Sequence, residues 1–252
     1  MESKVFFENG RGARLCGVFS APRGRAQGAG VVLSHGFHSS KDGKTCTALA
    51  GRLARHGIAS LRFDFYGSGE SAGSDADITP GEAVDDVISA DRFLRSQGFK
   101  RIALFGSSFG GTASLMAAAQ VEAALLALKS PISSYRDKLN AELDEERLAR
   151  WQAEGVMAYA SPGGRTRVLH YAFYREACDY DCYAAAARLK LPALIVHGGA
   201  DRVVPVAQSR RTAGLMAGCR LCVIEGADHE YSRPEHFARM LDEFETFITA
   251  EI

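Results

Sequence analysis

Three residues of this 252-residue chain have the types and the chain order that nucleophilic acyl transfer requires: Ser108, Asp201 and His229. A serine hydroxyl is inert at its own pKa and needs a base to take its proton, held in turn by an acid. Ser108 is the centre of Gly106-Ser107-Ser108-Phe109-Gly110, between an apolar run at residues 101–105 and a small-residue run at 108–119. A strand that turns straight into a helix through Gly-x-Ser-x-Gly forces the central serine into a strained conformation, and the flanking glycines leave room for the close approach. The helix start behind Ser108 presents free N–H groups and a positive dipole end to an oxyanion, so the Phe109 N–H is an expected donor.

A second buried run, at residues 30–34, ends in His35-Gly36-Phe37. Gly36 lets the chain turn an amide toward the elbow, and the Phe37 N–H is the expected second donor. His35 is read as shaping this loop, and His38 as touching substrate or facing water. Asp201 falls in the loop after the apolar run at 193–196, and His229 after the run at 221–224. In this order His229 takes the Ser108 proton and returns it to the leaving group, while Asp201 holds the tautomer and stabilises the imidazolium. Glu225, Asp228 and Asp179 are competing acids with an alternative reading as surface charges or caps.

Those positions demand a scaffold of buried strands separated by helices. Apolar runs at 30–34, 58–63, 101–105, 123–128, 193–196 and 221–224 suit strands covered on both faces, with helical spacing at 44–56, 80–97, 108–119, 205–217 and 234–250. Residues 4–8 and 14–20, joined by Asn9-Gly10-Arg11-Gly12, read as an N-terminal antiparallel hairpin. The expected fold is α/β, a mostly parallel central sheet with helices on both faces. The core spans 1–131 and 189–252, and 132–188 is an inserted cap with a hairpin turn near Ser161-Pro162-Gly163-Gly164. The cap holds the single tryptophan, Trp151, with Tyr135, Tyr159, Tyr171, Tyr174, Tyr180 and Tyr183. Such crowding suits an apolar or aromatic pocket and equally suits packing of the cap on the core. His38, Tyr135, Trp151 and Tyr174 are the expected substrate contacts.

With 46% hydrophobic and 24% charged residues, the composition is that of one sizeable globular domain. Lys plus Arg equals Asp plus Glu at 30 each, which argues against nucleic acid as a partner, and no apolar run approaches a membrane span. A cytoplasmic protein without a signal segment is expected, its six cysteines free. Cys219 and Cys222 have zinc-like spacing but sit on a strand, where residues three apart face opposite sides, so no metal is expected. The glycine-rich Asp64-Phe65-Tyr66-Gly67-Ser68-Gly69 lacks the ending of a phosphate loop and is read as floor beneath the oxyanion loop. Monomer and homodimer are both compatible with the sequence.

The stretches His35-Gly-Phe37, Asp64-Phe-Tyr-Gly-Ser-Gly-Glu-Ser71, Gly106-Ser-Ser-Phe-Gly110, His197-Gly-Gly-Ala-Asp201 and Glu225-Gly-Ala-Asp-His229 together resemble the α/β-hydrolase superfamily. Within it the chain is similar to bacterial carboxylesterases of the cinnamoyl or feruloyl esterase type and to serine aminopeptidase-like hydrolases. The resemblance implies cleavage of small or medium carboxylic esters, aromatic ones among them, through an acyl-enzyme without cofactor, with Ser108, Asp201 and His229 as triad. A peptidase, thioesterase or acyltransferase on the same fold is the alternative, as is a binding protein that has lost turnover. Ser107 departs from the pattern, since many relatives carry histidine there.

Overall fold

The computed structural model describes residues 1–22, 28–161, 164 and 166–252. Its first strands, β1 (Glu2–Glu8) and β2 (Arg14–Ser20), pair antiparallel with Phe6 opposite Cys16. Then follow β3 (Ala29–Ser34), α1 (Lys44–Arg55), β4 (Ala59–Phe63), α2 (Pro80–Ser96), β5 (Arg101–Ser107), α3 (Phe109–Ala118) and β6 (Ala123–Lys129). An excursion comes next: α4 (Tyr135–Glu142), α5 (Glu145–Glu154), β7 (Val156–Ala160), β8 (Thr166–His170) and α6 (Tyr171–Asp179). The chain returns through α7 (Cys182–Arg188), β9 (Ala193–Gly198), α8 (Val206–Leu215), β10 (Cys219–Ile224) and α9 (Pro234–Glu251).

Eight strands form one sheet in the order β1-β2-β4-β3-β5-β6-β9-β10, parallel from β4 onward. Its central strands are mostly apolar and are buried along nearly their whole length because both faces are covered. Alternation sends Val32, Ile102 and Leu104 to one face, beneath α2, α3 and α7, and Val31, Leu33 and Phe105 to the other, beneath α1 and α9. The helix starts are chemically marked. Thr79 accepts from the Glu82 N–H with Pro80 in the first turn of α2, and Ser134, Asp144 and Asp181 cap α4, α5 and α7 in the same way.

In the excursion, β7 and β8 pair antiparallel, Met157 opposite Leu169. Pro162 and Gly163 of the expected turn lie outside the described residues. Within the residues expected as cap, α7 packs on α3 and α8, with Ala185 and Ala186 fully buried. No described helix is long and apolar enough to cross a membrane.

Candidate active site

The end of β5 meets α3 at Ser108, whose backbone lies at φ 52°, ψ −111°. That left-handed φ is costly for any residue with a Cβ. The turn holds because its neighbours have none: a Cβ on Gly106 would stand 2.2 Å from the Gly110 carbonyl oxygen, and one on Gly110 would stand 2.4 Å from the His35 carbonyl oxygen. Gly110→Ala is therefore expected to lower stability by about 1–3 kcal/mol through forced displacement of the β3 end, read as a drop in Tm together with loss of whatever activity the site has.

Opposite the elbow, His35 is locked by its ring. Nδ1 donates to the Gly36 carbonyl at 2.7 Å and Nε2 accepts the Phe65 N–H at 3.3 Å, which fixes one neutral tautomer. Burial pushes its pKa down, outweighing the Gly36 bond that favours the proton. As the first residue of α3, Phe109 has no intrahelical acceptor for its N–H. The Phe37 N–H also makes no backbone hydrogen bond among the described residues.

Beneath lies a polar knot. Asp64 accepts the Lys41 N–H at 2.7 Å and the Glu70 N–H at 2.9 Å, and its carboxylate is 3.1 Å from Lys41 Nζ. Burial opposes the charge on Lys41, but Glu70, Asp42 and Asp64 outweigh it and raise the amine's pKa. Gly69, at φ 53°, leaves the space that Asp64 fills, since a Cβ there would sit 2.2 Å from its Oδ2. Gly69 thus serves a buried ion cluster, with Asp64 fully buried, while Gly67 makes room for the Ser74 carbonyl.

On the other side, β9 ends at Gly198, which has no room for a Cβ against the Ala227 carbonyl at 2.4 Å. This contact brings the Asp201 loop beside the His229 loop. Asp201 Oδ2 lies 2.7 Å from His229 Nδ1 and 3.3 Å from His197 Nε2, while Oδ1 accepts the Val203 and Val204 N–H groups at 2.9 and 2.8 Å. Burial pushes the Asp201 carboxyl up, yet the hydrogen bonds from His197 and His229 prevail and hold it well below the carboxylate range. His197, assigned no role from sequence, is fully buried between Ser209 Oγ at 2.7 Å and the Val204 carbonyl at 2.9 Å. Its one legible signal is its place four residues before Asp201 in the strand-end motif. Of the competing acids, Asp228 is exposed and accepts the Ser232 N–H at 2.9 Å, and Glu225 and Asp179 are exposed too.

Ser108 and His229 both line two cavities that meet at the elbow. The larger, about 660 Å³, is mainly apolar and lies under α4, β7 and α6, with Phe37, Ile132, Leu139, Met157 and Phe173 on its walls. The smaller, about 190 Å³, is mainly polar and lies on the α1 side. Tyr135 and His38 line the larger one. Burial, with Arg167 adding to it, pushes His38 down to about 4, so its imidazole is neutral at physiological pH. Trp151 and Tyr174, expected as substrate contacts, are placed elsewhere. The Trp151 indole is 1% exposed and donates to the Leu169 carbonyl at 3.0 Å, stacking the cap together, and Tyr174 packs on Trp151 and Tyr171 with its hydroxyl toward Asn140.

Residues 31–243 match a model of the alpha/beta hydrolase family. An uncharacterized 31.7 kDa protein from the traX-finO intergenic region of Escherichia coli is 26% identical, over 84% of this chain and 86% of its own. The mitochondrial palmitoyl-protein thioesterase ABHD10 of Rattus norvegicus is 27% identical over 81% of this chain and 70% of its own. Among solved structures, Est1E from Butyrivibrio proteoclasticus with bound ferulic acid superposes with a TM-score of 0.86 at 22% identity, covering 98% of both chains.

Proposed function

This chain belongs to the alpha/beta hydrolase family, and we propose that it is a serine hydrolase cleaving carboxylic esters through an acyl-enzyme, with Ser108 as nucleophile, His229 as base and Asp201 as the acid that orients it. The observation that carries this reading is the meeting of the strained Ser108 with the bonded Asp201–His229 pair on the wall of one cavity. His229 Nδ1 is committed to Asp201, which leaves Nε2 to accept the Ser108 proton. The Ser108 oxygen then bonds to the substrate carbonyl carbon, the oxyanion is held by the Phe37 and Phe109 N–H groups, and the carbon–oxygen bond to the leaving alcohol breaks. His229 returns the proton to that alcohol, and water releases the acyl group by the same steps in reverse.

The larger cavity supports an apolar acyl chain or aromatic ring of moderate size. Rates on nitrophenyl esters of increasing acyl length are expected to peak at medium chains. Leu139 is half-buried on the cavity wall, so Leu139→Trp is expected to move the optimum to shorter acyl groups and to cost roughly tenfold or more on the longest. No release of nitrophenol at any length overturns the reading. Thioesters are a second reading, favoured by the likeness to palmitoyl-protein thioesterase across most of the chain; faster turnover of acyl thioesters than of the matched oxygen esters would select it.

A further inference from the structure

The smaller cavity is lined by two lysines that form no ion pair with the described residues. Lys129, at the end of β6, lines it and is 4% exposed, yet no carboxylate of the described residues is within ion-pair distance. Among the described residues its ammonium donates to the His229 carbonyl at 2.8 Å, and the Tyr231 ring lies 5.1 Å away. An ammonium has three donors, and a buried charge without a partner is costly. Lys44 lines the same cavity, also without an ion pair among the described residues, its ammonium 4.0 Å from the centre of the Phe237 ring. Between them α1 begins at Gly43 with no side-chain cap and no acidic residue in its first turn. Ser39, Thr45, Ser107 and Ser232 add hydroxyls. The one carboxylate on the wall is the exposed Glu230, and Asp201 lies behind His229 with both oxygens engaged.

We propose that this chamber is a subsite for a small carboxylate carried by the leaving group, bound between Lys129, Lys44 and the start of α1. Its volume of about 190 Å³ suits a short hydroxy acid and not a second apolar chain. The assignment rests on Ser108 being the nucleophile, which gives the apolar cavity to the acyl chain and leaves the polar one for the departing alcohol beside His229. Burial lowers the Lys129 amine's pKa, more strongly than Glu230 and Asp201 oppose it, and an anion in the chamber would favour the charged form.

The test compares the butyryl ester of glycolate with that of glycolamide, which match in size and differ in charge. After division by their alkaline hydrolysis rates, kcat/KM is expected to favour the glycolate ester by roughly tenfold or more. That ratio is expected to fall toward one in Lys129→Met and in Lys44→Gln. The latter, at an exposed position, keeps the test usable if Lys129→Met does not fold. A wild-type ratio near one, or a ratio unchanged in both variants, overturns the subsite. Calorimetry of glycolate and glycolamide on Ser108→Ala decides the chamber without turnover: preferential glycolate binding that weakens with Lys44→Gln supports it, and equal binding overturns it. If no ester or thioester is cleaved and a fluorophosphonate leaves Ser108 unlabelled, the hydrolase reading fails, and this titration still separates the two failures.

Discussion

Ser108→Ala is expected to lower ester turnover by about 10⁴-fold or more while leaving the fold intact, since removal of the nucleophile leaves only binding and oxyanion stabilisation. Its hydroxyl makes no hydrogen bond with the described residues, so the Tm should stay close to that of the parent. Ser108→Gly carries the argument further. Because the native residue sits at φ 52°, ψ −111°, glycine relieves strain of order 1 kcal/mol or more and should raise the Tm while activity is lost. A fluorophosphonate should label the parent protein and neither variant. Retained turnover in Ser108→Ala would remove Ser108 from the mechanism.

Asp201→Asn is expected to cost about 10⁴-fold in kcat for a different reason. The Oδ1 position receives the Val203 and Val204 N–H groups and must remain an oxygen, so the new amide nitrogen takes the Oδ2 position, facing His229 Nδ1. It then donates to Nδ1, the ring proton moves to Nε2, and His229 can no longer accept from serine. The same substitution changes acid stability. The Asp201 carboxyl has its pKa depressed in the folded protein, so its stabilisation is complete above the unfolded value of about 4 and is lost as pH falls through the lower folded value. Urea midpoints measured downward from neutrality should therefore decline less steeply over that acid range in Asp201→Asn than in the parent. Identical acid slopes would contradict the assigned ionisation.

Much of this was readable because the signals are local. An apolar run buried on both faces has no polar alternation to hide it, so β3, β4, β5, β6, β9 and β10 lie where hydrophobicity puts them, with ends shifted by one or two residues. The glycines at 106 and 110 announce an approach too close for a Cβ. Substrate contacts were not legible in the same way. Trp151 and Tyr174 are cap aromatics, and an aromatic packs equally well inward: Trp151 closes the cap's own core on the Leu169 carbonyl.

By itself the sequence determined the alternation of buried strand and helix, the serine at a glycine-flanked turn, and the chain order of the aspartate and histidine that follow it. All of these follow from short-range pattern and covalent sterics. The tertiary structure alone decided which carboxylate reaches His229, since that depends on Gly198 pressing against the Ala227 carbonyl. It also decided that His197 braces the Asp201 loop while Lys129 donates to the His229 carbonyl, and that two chambers of opposite polarity meet at Ser108. These relations join residues far apart in the chain, where no period or motif links them and only the packing of the sheet and its helices sets the distance.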